Sequence, residues 1–190
     1  MTSPSIKATI KSIQTLKVDP IVHPSLVVQG SSGTHDHSNF LIVKIILSSG
    51  IEGIGEVSGT LGWSGEDSGT AEHAIRSVIA PALIGQSISP VENLLSKIEI
   101  ALAASPFTKA GVATALWDAY ARSLDITMAE ALGGAIRTEV PIKFSLSGDK
   151  ARIKHVYEAA TKMGFGAFKL KIGKDPVDDG DRFAFARALV

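Results

Sequence analysis

The chain opens in an alternating register. From Ile6 to Val18, "IKATIKSIQTLKV" alternates apolar and polar residues with the period of two that buries one face of a strand and wets the other. "NFLIVKIILSSGIEGIGEV" supplies two more β-rich runs around the turn residues Ser48, Ser49 and Gly50. Together the three runs predict a three-stranded antiparallel meander. Between the first two lies the segment from Asp19 to Ser38, which holds Pro20, Pro24, Gly30 and Gly33. It is too long for a hairpin turn, and loops of that length are usually functional or disordered.

From about Thr70 the spacing becomes helical. "TAEHAIRSVIAPALIG" predicts a helix as far as Pro81. "SPVENLLSKIEIAL" predicts another, with Ser89 as N-cap, Pro90 at the first helical position and Glu92 completing a capping box. "TKAGVATALWDAYARSL" repeats Ala110, Ala113, Trp117, Tyr120 and Leu124 at helical intervals. Thr127 and Glu130 read as a second capping box, with Gly133 as the stop. After Gly134 comes a strand, "EVPIKFSLSGD". A helix capped by Asp149 follows, with Ile153, Val156, Ala160 and Met163 on one face, and then a strand, "FGAFKLKIG". Strand, helix, strand is a βαβ unit with parallel neighbours. A further helix, "DPVDDGDRFAFARALV", begins without a C-cap before the sequence stops. One crossover helix cannot cover both faces of a parallel sheet. Residues 138–190 are therefore expected to open a larger α/β domain, and 1–137 to form a separate domain before it.

Composition narrows the partners. The 190 residues are 45% apolar, enough for a globular core, and 19 Lys and Arg balance 19 Asp and Glu. A net charge of zero gives no reason to expect nucleic acid or an anionic membrane as partner. The longest apolar run, "FLIVKIIL", has the length of a strand and is broken by Lys44, so no membrane span is expected. Cysteine is absent, which removes disulfides, thiolate catalysis and cysteine metal sites and fits a cytoplasmic location.

The candidate chemistry lies in "GFGAFKLKIG". Alternation puts Lys169 and Lys171 on one face of the strand, and Phe168, Leu170 and Ile172 on the other. Two ammonium groups so close disfavour each other's charged form, and a lysine placed that way can act as a general base. On spacing alone the pair fits a solvated sheet face that discourages edge pairing equally well. His35, Asp36 and His37 read more readily as a solvated turn than as a metal cluster, because no third ligand is near in sequence. Asp118 reads as a structural, hydrogen-bonded carboxylate. Gly53 and Gly55 precede a strand residue rather than a helix, and so form no dinucleotide fingerprint.

Taken in order, "GIEGIGE", "APALIG", "FTKAGVATALWDAYARSLDITMAEALGG", "VPIKFSLSGD" and "FKLKIGKDPVDD" resemble the muconate lactonizing group of the enolase superfamily, most closely the muconate cycloisomerases. The resemblance implies an α+β capping domain followed by the first βαβ part of a modified (β/α)8 TIM barrel. It implies metal-assisted enolate chemistry on a small carboxylate, with Lys171 as the acid/base and Lys169 as the partner that adjusts it and approaches the substrate carboxylate. His23, in the Asp19–Ser38 segment, and Thr60, Leu61 and Trp63, in "VSGTLGWSG", are implied substrate contacts; a packed loop aromatic is the plainer reading of Trp63. Thr60 stands where the muconate enzymes carry an Ile, and Ser145, at the end of the first barrel strand, is implied by the resemblance to lie near the substrate. The metal, Mg2+ or Mn2+, is implied to be held by carboxylates on later strands outside these 190 residues, so the chain alone is expected to be an inactive fragment. The family implies a homo-oligomer for the complete enzyme. Dipeptide epimerization and o-succinylbenzoate synthesis use the same lysines. A non-catalytic α+β binding or oligomerization module is the reading from a different class.

Overall fold

The computed structural model describes residues 8–24, 27–30, 33–173 and 175–190. Five strands come first: β1 (Ile10–Val18), β2 (Val28–Gly30), β3 (Gly33–His35), β4 (Phe40–Leu47) and β5 (Glu52–Val57). The expected meander is present. β4 lies between β1 and β5, antiparallel to both. Alternation works as read, with Leu41, Val43, Ile45 and Leu47 of β4 buried. The expected first strand residues Ile6 and Lys7 lie outside the described residues.

The segment from Asp19 to Ser38 departs from a plain loop. β2 pairs antiparallel with β3, Ile21 bridges His37, and the Ser38 amide donates to the Pro20 carbonyl at 3.0 Å. The β-branched Val28 opens β2 opposite His35. Ser25, Leu26, Ser31 and Ser32 lie outside the described residues.

Helices follow: α1 (Leu61–Ser64), α2 (Ser68–Ala74), a π turn over Ile75–Ile79, α3 (Ala80–Leu83), α4 (Val91–Ala101), α5 (Pro106–Ser123) and α6 (Met128–Ala131). Three expectations are corrected here. Pro81 does not end its helix. A proline ring clashes with the carbonyl four residues back, and the preceding turn widens so that the Ala80 amide reaches the Ile75 carbonyl five residues away. Ser89 is not an N-cap. Its amide and carbonyl are both engaged by the Ser87 hydroxyl, at 3.3 and 2.9 Å, and the extended Pro90 takes the cap position before Val91. The buried stripe of α5 runs through Thr108, Gly111, Val112, Ala115, Leu116 and Ala119, one step round from the expected face.

The cause of that rotation is β5. Its buried positions are Gly53, Gly55 and Val57, and α5 lies directly on the two glycines. A Cβ on Gly53 would stand 2.3 Å from the Ala115 carbonyl oxygen, and one on Gly55 would stand 2.0 Å from that of Gly111. Only small residues on both elements allow this approach, so the stripe of small residues turns towards the sheet and the bulkier Trp117 and Tyr120 turn aside, packed edge to face.

The last elements are β6 (Phe144–Leu146), α7 (Lys150–Lys162), β7 (Phe168–Leu170) and α8 (Pro176–Arg187), with β6 and β7 parallel. Asp149 caps α7 through the Arg152 amide at 2.8 Å. Ile153, Val156 and Ala160 are buried as read, whereas Met163 is 62% exposed, because the helix ends at Lys162. The final helix closes before the end of the sequence, the Ala188 amide donating to the Ala184 and Phe185 carbonyls. The described residues form two compact units. One comprises the chain up to Asp19 with Asn39–Ile136, and the other comprises Pro20–Ser38 with Arg137–Val190. Each has its own apolar core: Leu41, Ile45, Ile75, Leu83 and Leu116 among others in the first, and Leu146, Ile153, Val156 and Ala186 in the second.

Candidate active site

The register of the parallel pair sets Ser145 of β6 directly beside Lys169 of β7. The Lys171 amide donates to the Leu146 carbonyl at 2.9 Å, which extends the pairing beyond β7. Leu146, Phe168 and Leu170 belong to the apolar core of this unit, so alternation turns Ser145, Lys169 and Lys171 to the opposite face. Lys169 is exposed and Lys171 half-buried. A third lysine joins them. Lys143 donates its Nζ to the Ser145 hydroxyl oxygen at 3.1 Å. An ammonium has no lone pair to offer, so the Ser145 O–H remains able to donate to an anion. Lys143 is passed over in the sequence reading, although its alternation with Ser145 in "IKFSLS" is a signal that marks it.

The end of β7 is held from α8. Arg182 is 5% exposed, and its guanidinium donates to the Gly148 carbonyl at 3.0 Å and the Lys171 carbonyl at 3.2 Å. It also pairs with Asp179, and Asp178 lies 3.0 Å from Nε, off the N–H direction. Asp179 in turn accepts the Gly173 amide at 2.6 Å.

In the same unit, Arg152 donates to the Val27 carbonyl at 2.6 Å and to that of Pro24 at 3.3 Å, which tethers the exposed His23 segment to α7. Thr60, Leu61 and Trp63 belong to the other unit. Their loop is a single helical turn rather than open coil: the Thr60 carbonyl accepts the Trp63 and Ser64 amides at 2.9 and 2.7 Å. Leu61 and Trp63 are exposed, the latter 75%, with the indole edge-on to Phe107 at 5.8 Å.

What fastens this turn is Glu66, a residue that no sequence signal marks. It is 5% exposed, and its carboxylate accepts the Phe107 amide at 2.9 Å and the Thr108 amide and hydroxyl at 2.9 and 2.6 Å. Ser105 would ordinarily cap α5, but its backbone is left-handed (φ 53°) and its side chain makes no cap bond. The distant carboxylate takes over that task, and no local pattern announces it.

A divalent cation does not fit the residues around the lysines, which carry positive charge. Among the described residues no group of three His, Asp or Glu is arranged to hold a metal. His35 pairs with the half-buried Ser38 at 3.0 Å and His37 with Asp36 at 2.7 Å, and His35, Asp36 and His37 are exposed. The contact with His37 holds the Asp36 carboxyl below its usual range. Asp118 accepts the Ile54 amide and the Arg122 guanidinium, each at 2.9 Å, in the structural role read for it. No helix among the described residues is long and apolar enough to cross a membrane.

Residues 12–133 match the sequence profile of the mandelate racemase / muconate lactonizing enzyme N-terminal domain. The chain belongs to this family. The mandelate racemase / muconate lactonizing enzyme family is a branch of the enolase superfamily, and its relatives agree along the chain beyond the matched domain. Muconate cycloisomerase 1 of Rhodococcus opacus is 32% identical over 188 residues, 95% of this chain and 50% of that protein. The structure of muconate lactonizing enzyme from Pseudomonas fluorescens, complexed with muconolactone, superposes with a TM-score of 0.86 at 31% identity over 96% of this chain and 50% of its own. The L-Ala-D/L-Glu epimerase of Bacillus subtilis, in a substrate-liganded complex, gives 0.87 at 29% identity over 95% of this chain and 50% of its own. The chain therefore spans about half the length of the curated relatives it matches.

Proposed function

We propose that these residues are the lysine-bearing half of a cycloisomerase that forms a lactone from a muconate-like dicarboxylate. The observation that carries this is the row of Lys143, Ser145, Lys169 and Lys171 along one face of a parallel strand pair, in a chain whose relatives include muconate cycloisomerases. In this reading β6 and β7 are the first two strands of a (β/α)8 barrel, and the lysine face is its interior.

Lys171 exchanges the proton on the carbon next to the substrate carboxylate. As an ammonium it delivers the proton to the enolate carbon, and as a free amine it removes it. Lys169 pairs with the carboxylate, and the Ser145 O–H, released by Lys143, donates to the same group. His23, Thr60, Leu61 and Trp63 are each candidate substrate contacts in this reading. A divalent metal, Mg2+ or Mn2+, would supply neutralising charge for the enolate in the complete enzyme. The lysine face is not its site, and its ligands belong to the part of the enzyme outside these residues. The complete enzyme is a homo-oligomer in this reading.

A muconate-consumption assay with Mg2+ or Mn2+ titrated tests the proposal. The 190 residues alone give no turnover, whereas a protein that carries them together with the rest of the barrel does, and Lys171→Ala abolishes it. Metal-dependent turnover by the 190 residues, or lactone formation that survives Lys171→Ala, overturns it. Dipeptide epimerization is the second reading, favoured by the equal likeness to the Bacillus subtilis epimerase. Proton exchange on L-Ala-D-Glu in place of muconate consumption selects it.

A further inference from the structure

Lys171 is the first residue past β7, so the strand ladder holds it by a single bond, its own amide to Leu146. That bond continues the alternation and leaves the Lys171 carbonyl to another partner. The next constraints come from α8. Arg182 takes the Lys171 carbonyl, and Asp179, one helical turn before Arg182, takes the Gly173 amide. The stretch from Lys171 to Gly173 is thereby gripped at both ends by one helix.

The same guanidinium donates to Gly148, just past the end of β6. One side chain therefore ties together the C-terminal ends of the two strands that carry Ser145 and Lys171. A buried guanidinium is costly unless its charge is met. Asp178 and Asp179 meet it locally, so the clamp sets geometry without adding a bare positive charge beside the lysines.

We propose that Arg182, backed by Asp179, is a positioning residue for Lys171; the role rests on the acid/base reading given above. Arg182 touches no substrate in this arrangement. It acts by fixing the backbone from which Lys171 projects.

Lysine side-chain NMR on the 190-residue chain tests this, after reductive 13C-methylation and assignment of Lys171 by Lys171→Arg. Arg182→Lys keeps a cation between the two aspartates but cannot span both carbonyls. The expected result is a shifted and broadened Lys171 resonance and an unmoved Lys97 resonance in a variant that still folds. Asp179→Asn is expected to speed exchange of the Gly173 amide about tenfold. A Lys171 resonance that stays in place in folded Arg182→Lys overturns the proposal. Should the substitutions prevent folding, the unsubstituted chain decides: slow exchange of the Gly173 amide supports the clamp, and exchange at the open-chain rate overturns it. None of these readouts needs turnover. A failed muconate assay leaves the clamp standing, and an unmoved Lys171 resonance leaves the muconate assay to decide the function.

Discussion

Thr108 gives both its amide and its hydroxyl to one oxygen of Glu66, at 2.9 and 2.6 Å, across 42 residues of sequence. The buried carboxylate is thus the N-terminal cap of α5 and the anchor of the turn that carries Thr60, Leu61 and Trp63. Glu66→Ala leaves the first amides of α5 without an acceptor in a buried place. We expect a loss of about 2–4 kcal/mol in urea unfolding, with Glu66→Gln losing less because one amide oxygen remains to accept. Equal unfolding midpoints for Glu66→Ala and the parent would refute this account of the turn.

Gly55 faces the backbone of α5 at a distance no Cβ tolerates. Gly55→Ala is expected to cost about 3 kcal/mol, since backbone rather than a flexible side chain would have to move. At Gly62 in α1 an added methyl would meet no atom within 4 Å, so Gly62→Ala should change stability by about 0.5 kcal/mol or less. Thermal melts of the two variants side by side check the contrast.

Acid should weaken the first unit. Hydrogen bonding from the Thr127 backbone, then from its hydroxyl, holds Glu130 below the ordinary glutamate value of 4.5. The Thr70 amide and hydroxyl do the same for Asp67 relative to 3.8. Each carboxyl binds its proton less tightly folded than unfolded. The stabilisation is therefore complete above those ordinary values and is lost as pH falls through the lower folded ones. Carboxyl NMR titration should show Glu130 below 4.5, and Thr127→Ala should move it up. A Glu130 midpoint that ignores Thr127→Ala would contradict the capping box.

Residues from Leu132 to Lys143 are exposed and outside regular structure. Trypsin at low ratio should therefore cut first at Arg137 or Lys143, ahead of the lysines and arginines within helices. Mass spectrometry of the early products checks it, and first cuts within α4 or α5 would run against it.

Periodic signals carry much of this fold. Alternation in "FLIVKIIL" and the Thr127–Glu130 and Asp149 caps are local features, and each is realised at the position read for it. The α5 stripe differs from its periodic reading because its partner is a glycine-bearing strand, and a window along the helix does not contain the sheet. Ser89 fails as a cap because Ser87, two residues back, competes for its backbone. At the candidate site, the lysine pair is visible as alternation. Glu66 and Arg182 are not, because each works through partners brought near only by folding.

The amide of Ile54 on the outer strand β5 is already taken by Asp118, itself paired with Arg122. A strand from another molecule seeking to extend the sheet would meet an occupied donor and a charged pair in its path. The Asp118 carboxylate thus leaves the outer edge of the sheet one free donor fewer for pairing.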